Sequence, residues 1–158
     1  MNLDRLAEIP GHRIIGLSWA GTLLLAVTAL PAANGVDAFE VPAVDVSLGL
    51  FVASIFLSLV ALARAAVRAP RRQERITVGG LFLLQGSAPK PVRRLLLGSV
   101  AASVAVAVAT ITTAPFSVLQ PMFPMALCAW WGARHGTFPR VVDPNPPGAR
   151  PPGARPRG

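Results

Sequence analysis

The sequence predicts an all-α membrane protein: a bundle of four transmembrane helices with a cytoplasmic interfacial segment and a disordered C-terminal tail. Three observations predict this class. Of the 158 residues, 53% are hydrophobic and only 14% are charged, whereas a soluble domain carries nearer a quarter charged residues. Long stretches have no charge at all, and the basic residues, 15 against 7 acidic ones, lie outside those stretches. This composition argues against a soluble enzyme and places the positive charge beside a bilayer.

Two uncharged stretches in the first half of the chain predict the first two spans. The first begins after Arg13 and its apolar part ends at Pro31, and the second lies between Asp45 and Arg64. About 20 helical residues cross a hydrocarbon core of roughly 30 Å, so each stretch is long enough for one crossing. A cleaved signal peptide is the alternative for the first stretch. Its uncharged length, however, exceeds the roughly 7–15 apolar residues of such a peptide, so a span is favoured.

A third uncharged stretch, residues 95–133, predicts two further spans. As one helix it would be about 58 Å long, about twice the length that a bilayer needs. Pro115, Pro121 and Pro124 lie in its second half, so we predict a helical hairpin with a tight turn. The alternating Val and Ala residues at 104–108 also have the period of a strand. An isolated strand in lipid would leave its backbone unpaired, and we interpret these residues as helix.

The distribution of basic residues predicts the orientation. The loop between the first two spans carries three acidic residues and no base, whereas the next loop carries eight bases against Glu74 alone. Since Arg and Lys concentrate on the cytoplasmic side, four spans with both termini cytoplasmic in a bacterial plasma membrane satisfy every loop. The predicted segments are a cytoplasmic N-terminus (1–13), transmembrane helix 1 (14–32), an acidic extracytoplasmic loop (33–45), helix 2 (46–63), a basic cytoplasmic loop (64–94) with an interfacial segment (76–86), helix 3 (95–113), a short outer turn (114–117), helix 4 (118–133) and a cytoplasmic Pro/Gly/Arg-rich tail (134–158).

The sequence offers no catalytic, cofactor-binding or metal-binding site. No Asp, Glu, Lys, Arg or His lies inside a predicted span, where a proton relay or an intramembrane protease of the metal or aspartyl type would need one. Cys128 is the single cysteine, and His12 and His135 lie far apart without metal-ligand spacing. Serines occur within the spans, but no intramembrane base accompanies them. We therefore expect a protein that is not an enzyme and uses no cofactor.

The basic loop and the end of the fourth span carry the candidate contacts to anionic lipid or to a protein partner. The arginines between 64 and 75 follow helical spacing on one face, although Pro70 interrupts the pattern. Segment 76–86 is too short to span and too apolar for free solvent, which favours an interfacial or re-entrant position. Generic membrane anchoring is the alternative to specific recognition. The candidate residues are Arg64, Arg68, Arg71, Arg72, Arg75, Arg93, Arg94, Trp130, Trp131, Arg134 and His135.

The third predicted span carries candidate helix-packing residues. Small side chains four apart let helix backbones approach closely in lipid. Gly98 pairs in this way with Ala102, and Ser99 with Ser103. We predict a close-packed seam here, either within the protomer or with another subunit.

Two stretches carry a resemblance to known proteins. Residues 80–94 begin Gly-Leu-Phe-Leu-Leu and end Ser-Ala-Pro-Lys-Pro-Val-Arg-Arg, and residues 121–140 end Trp-Gly-Ala-Arg-His-Gly-Thr-Phe-Pro-Arg. Together they resemble small, uncharacterised four-span integral membrane proteins of actinobacteria. That pattern has Phe-Pro-Pro-Arg near its end, where this chain has a single proline, Pro139. The resemblance implies a membrane location and a lineage, and it transfers no catalytic residue.

These features predict a non-enzymatic accessory or interaction subunit of a membrane complex. The expected partners are the anionic headgroups at the cytoplasmic face and either a protein partner or a second copy of the chain. Nucleic acid is not expected, because the Pro/Gly-rich tail holds only three arginines around its two Pro-Pro-Gly-Ala-Arg repeats. The alternative is a small oligomeric transporter or channel, whose polar seam would comprise Thr110, Thr112, Thr113 and Gln120.

Overall fold

The computed structural model describes residues 11–140 and is all-helical over that range, with 79% of those residues in helices and no β-strand. The predicted N-terminal segment lies largely outside the described residues, and so does most of the predicted tail, including its repeats. The helices are α1 (His12–Ala33), α2 (Glu40–Arg72), α3 (Val78–Phe82), α4 (Lys90–Thr110) and α5 (Met122–His135), with 3₁₀-helices at Asp37–Phe39 and Pro115–Leu119.

Three helical stretches are long and apolar enough to cross a membrane: α1, α2 together with the 3₁₀-helix before it, and α4. The predicted all-α class is confirmed, and the three long apolar stretches are consistent with the predicted membrane location. The fourth predicted span corresponds to α5, which has 14 residues. At 1.5 Å per residue it is about 21 Å long, shorter than a hydrocarbon core of about 30 Å.

Helix α2 is longer than the span predicted at 46–63. It begins at Glu40, so the second half of the predicted acidic loop is helical, and it continues to Arg72 in the predicted basic loop. Charged residues limit the part of a helix that lies in hydrocarbon, but a helix continues unchanged into water. Pro70 lies inside the last turn, and the helix ends at Gln73, whose left-handed backbone (φ 51°) lets the Glu74 N–H donate to the Ala69 carbonyl at 3.0 Å.

Helix α5 forms the centre of the bundle. Most of its residues are buried, among them Leu127, Cys128 and Trp131, and α1, α2 and α4 all pack against it. Gly21 allows α1 to approach closely, because a Cβ at this position would lie only 2.5 Å from Phe123 Cε1. The shortest of the four long helices, α5, is therefore the most enclosed.

The connection from α4 to α5 is longer than the turn predicted at 114–117. Helix α4 ends at Thr110 and α5 begins only at Met122, with the 3₁₀-helix Pro115–Leu119 between them. Pro115 and Pro121 cannot donate a backbone hydrogen bond. Ala114, before Pro115, has a non-helical backbone (φ −128°, ψ 72°), as expected for a residue that precedes proline, whereas Gln120 keeps a helical backbone before Pro121. The predicted helices at 95–113 and 118–133 therefore lose residues at this connection.

Segment 76–86 folds onto the bundle. Thr77 caps α3 by accepting a hydrogen bond from the Gly80 N–H at 3.0 Å. Leu81 packs with the α2 and α5 residues near Ala133, and Leu84 packs with Trp131. Both leucines are buried, so part of the apolar character that predicts an interfacial segment is used against α5.

The bundle has two chemically different ends. The "basic end" comprises the start of α1, the end of α2, segment 76–86, the start of α4 and the end of α5, and the "acidic end" comprises the opposite helix ends and carries Asp37, Glu40 and Asp45. Close approaches fix the end of α5 at the basic end: a Cβ added at Gly11, before α1, would lie 2.5 Å from Trp131 Nε1. The chain thus returns along α5 to the end from which α1 starts.

Candidate functional site

The candidate site is a groove at the basic end, between the last four turns of α2 and the end of α5. It is an open cavity of about 760 Å³. Aliphatic side chains of α2 form one part of its wall and arginines from both helices form the other. The lining residues are Leu59, Val60, Ala63, Arg64, Val67, Arg68, Arg71, Arg72, Ala133 and Arg134. We call this cavity the basic groove.

Arg68 holds the groove together. Its Nε donates to Glu74 Oε2 at 2.8 Å and its Nη2 to Glu74 Oε1 at 3.2 Å, an ion pair whose side chains are only 14% and 11% exposed. Its Nη1 also donates to the Ala133 carbonyl at 3.1 Å and its Nη2 to the Gly136 carbonyl at 2.6 Å. Arg68 thereby satisfies carbonyls at the end of α5, which a helix C-terminus leaves unpaired. Four of its five N–H donors are therefore engaged within the protein.

The other four arginines of the groove are exposed. Arg64 lies over the ring of the half-buried Trp130, with its guanidinium carbon 4.6 Å from the ring centroid, in cation–π geometry. Arg71, Arg72 and Arg134 extend from the two walls of the groove. Across residues 11–140 the Arg68–Glu74 pair is the one ion pair, so these four guanidiniums are not neutralised by a described carboxylate.

The structure does not gather all of the sequence-predicted contact residues. Arg75 lines a separate cavity of about 540 Å³ beside α3. Arg93 and Arg94 are exposed in the first turn of α4 and do not line the basic groove. Trp131 is buried in the core and is not a surface contact.

His135 lies beside the groove at the end of α5. Its ring centroid is 5.6 Å from that of Trp131. Desolvation by burial, together with the charge of Arg134, lowers the pKa of His135. The imidazole therefore favours its neutral form and adds no positive charge to the groove at neutral pH.

The predicted packing residues lie at the α1–α4 contact in part. Ser99 and Ser103 are buried, and the Ser99 hydroxyl is 2.6 Å from that of Ser18 on α1. Gly98 is half-buried, and a Cβ added there would lie 3.6 Å from Trp19. Ala102 is half-buried as well. The serine pair thus belongs to a seam within one chain.

The predicted polar seam is divided between the interior and the surface. Gln120 is fully buried, and its Nε2 donates to the Gly21 carbonyl at 3.3 Å, whereas its Oε1 has no partner among the described residues. Thr110 is also buried, and its hydroxyl lies 2.8 Å from the Ser117 hydroxyl. Thr112 and Thr113 are exposed at the acidic end. Residue spacing in the sequence does not indicate which of these four polar side chains has an unpaired buried oxygen.

The described residues contain no group of three or more His, Cys, Asp or Glu side chains that could hold a metal ion. What the basic groove can do chemically is bind an anion, since it holds several donors and no general base among its lining residues.

No protein-family model matches the chain, and neither curated proteins nor solved structures give a significant match.

Proposed function

We propose that this chain is a non-enzymatic accessory or interaction subunit of a complex in a bacterial plasma membrane. One observation carries the proposal: four exposed, unneutralised arginines line the basic groove, and none of the residues that line it is a carboxylate or an imidazole. Clustered cations without an acid–base partner are suited to docking an anionic surface rather than to bond-breaking chemistry. The basic groove is the interaction surface in this proposal.

The membrane arrangement that supports this role has four spans with both termini cytoplasmic. The fourth comprises residues 115–133: a five-residue 3₁₀-helix, the link of Gln120 and Pro121, and the first twelve residues of α5. With rises of about 2.0 Å per residue in the 3₁₀-helix and about 1.5 Å in the rest, these residues extend about 31 Å, enough for a bilayer core. Pro115 lies beside Ala32 and Glu40 at the acidic end, and α5 finishes at the basic end. The positive-inside rule then assigns the basic end to the cytoplasm.

Two finer predictions belong to the same proposal. Val78 and Leu83 of segment 76–86 remain exposed beside the arginines of the basic end, which supports an interfacial position for that segment. The resemblance to four-span actinobacterial membrane proteins stays a prediction about lineage.

The test is recovery of a tagged copy from its own host in native nanodiscs, with mass spectrometry of the bound proteins and lipids. We expect a stoichiometric protein partner. Replacing Arg134 and His135 by Gln should weaken capture of that partner. The matched control replaces His12 and Arg93 by Gln; both are exposed outside the groove, and capture should be unchanged. A lone homo-oligomer without any partner would refute the accessory role.

One observation favours a second function, a small oligomeric transporter or channel. Gln120 is buried, and its Oε1 has no described partner beside the break that precedes α5. Interrupted helices and unpaired polar groups at membrane depth are features of transport pathways. Solute or ion flux into liposomes that is carried by the wild type and lost in Gln120→Leu would support this function. Equal flux in both would exclude a pathway through this residue.

A further inference from the structure

We infer that the basic groove binds one anionic phospholipid from the leaflet at the basic end. The phosphate contacts Arg71, Arg72 and Arg134, and an acyl chain lies along Leu59 and Val60. This inference rests on the proposed membrane arrangement and specifies the ligand of the same site.

The order of residues along α2 matches the order of groups along a phospholipid. Leu59 and Val60 are exposed aliphatic side chains, Arg64 follows about one turn later, and Arg71 and Arg72 end the helix. The rise of an α-helix puts about 18 Å between the aliphatic and the terminal basic parts of the wall. A purely acidic peptide or a soluble anion would use only the basic part. A lipid uses both, because its acyl chain continues from the phosphate into the hydrocarbon layer.

Small side chains make room for an acyl chain. Ala63 lines the groove on α2, and Ala133 faces it from α5. Bulkier residues at these positions would close the space between the two helices. The cavity of about 760 Å³ is within the range of ligand sites, roughly 300–1,000 Å³.

The charge of the groove is complementary to a phosphate. Guanidinium groups present paired N–H donors that match phosphate oxygens, and Arg71 and Arg72 of α2 line the same groove as Arg134 of α5. Arg68 is left out of this set because four of its five N–H donors bind Glu74 and the end of α5. The ligand-binding set is therefore narrower than the arginine stripe in the sequence.

Arg64 marks the boundary between the two parts of the groove. It is stacked on Trp130, with 4.6 Å between its guanidinium carbon and the ring centroid. Tryptophan rings favour the headgroup level of a bilayer, and stacking restrains the guanidinium at that depth. Arg64 is thus placed where the glycerol and phosphate of a bound lipid begin.

The test uses the purified full-length protein after delipidation, with dioctanoyl phosphatidylglycerol and dioctanoyl phosphatidylcholine as probes in calorimetric titrations. We expect the anionic lipid to bind at least about tenfold more tightly, because the zwitterionic headgroup is neutral overall and adds its own cation. The double variant R71Q/R72Q should weaken binding of the anionic lipid by about tenfold or more, as expected for lost charged hydrogen bonds. The matched variant R93Q/R94Q removes the same charge from exposed positions outside the groove and should change binding less than about twofold.

A third variant tests the apolar part. Ala63→Trp leaves every charge in place and fills the groove, and it should weaken lipid binding by a similar factor while circular dichroism and gel filtration stay unchanged. Glycerol phosphate, which has the phosphate but no acyl chain, should bind far more weakly than the lipid. Equal losses in R71Q/R72Q and R93Q/R94Q would overturn the groove as the site.

Two further outcomes separate this inference from the proposed function. Binding of glycerol phosphate or of polyglutamate as tight as that of the lipid would replace the phospholipid by a soluble anion or an acidic protein segment. In that case a protein partner recovered from the host would still support the accessory role. Conversely, tight lipid binding by a chain recovered without any protein partner would leave the lipid site intact and refute the accessory role.

Discussion

The contact between α1 and α5 gives the sharpest test of the bundle, through the substitution Gly21→Ala. A Cβ at this position would lie 2.5 Å from Phe123 Cε1 and 2.7 Å from its Cδ1. Carbon atoms in ordinary contact are about 3.5–4.0 Å apart, so the ring must retreat by about 1 Å. Phe123 is buried, and overpacking of this kind costs about 1–3 kcal/mol. Alanine regains about 1 kcal/mol of helix propensity, so we expect a net loss of up to about 2 kcal/mol in unfolding free energy.

Gly16→Ala is the matched control, because it lies on the same helix and an added Cβ there meets nothing within 4 Å. We expect it to be neutral, or stabilising by less than about 1 kcal/mol. The assay is unfolding in mixed micelles with a rising fraction of dodecyl sulfate, followed by tryptophan fluorescence. The double variant Gly21→Ala/Phe123→Leu should lose less than the sum of its parts, since the shorter side chain makes room for the methyl group. Equal stability of Gly21→Ala and Gly16→Ala, or strict additivity in the double variant, would refute the close approach of α1 to α5.

Three further predictions use the same unfolding assay. Arg68→Gln should lower the unfolding free energy by about 2–4 kcal/mol, because it leaves the Glu74 carboxylate and two helix-end carbonyls unpaired. Arg71 is exposed and has no described partner, so Arg71→Gln should change the unfolding free energy by less than about 0.5 kcal/mol. Gln120→Leu should leave the unfolding free energy unchanged or raise it, since the buried Oε1 has no described partner and the hydrogen bond from Nε2 is long. A large decrease in unfolding free energy would indicate that Oε1 is hydrogen-bonded to bound water. The pKa of His135 is lowered by burial and by Arg134, so the unfolded chain binds a proton more readily than the folded one. Stability should therefore fall as the pH drops below about 6.5, and His135→Asn should flatten that profile.

The sequence predicts the helical membrane class well because charge exclusion from hydrocarbon is a strong and local signal. The same signal misplaces helix ends. Asp45 and Arg64 limit the predicted second span, yet α2 runs from Glu40 to Arg72, since neither residue breaks a helix. Helix ends depend on backbone features such as the left-handed residue Gln73, which charge patterns do not report.

The candidate site is predicted from the sequence only in part. Helical spacing groups Arg64, Arg68, Arg71 and Arg72 on one face of α2, and the groove brings these four together. Their different roles arise from tertiary contacts at the end of α5, where Arg68 meets two carbonyls and Arg64 meets an indole ring. No local pattern distinguishes these arginines from one another.

The number of spans depends on how α5 is interpreted. With 14 residues, α5 is too short to cross a bilayer by itself, and three spans would place the two termini on opposite sides. A helix enclosed by protein does not need the length or the continuous apolar surface of one that faces lipid, because neighbouring helices shield its backbone. Arg68 satisfies carbonyls at one end of α5, and α1, α2 and α4 surround its middle. The charge asymmetry of the loops independently favours an even number of crossings, so packing and charge support the same four-span arrangement.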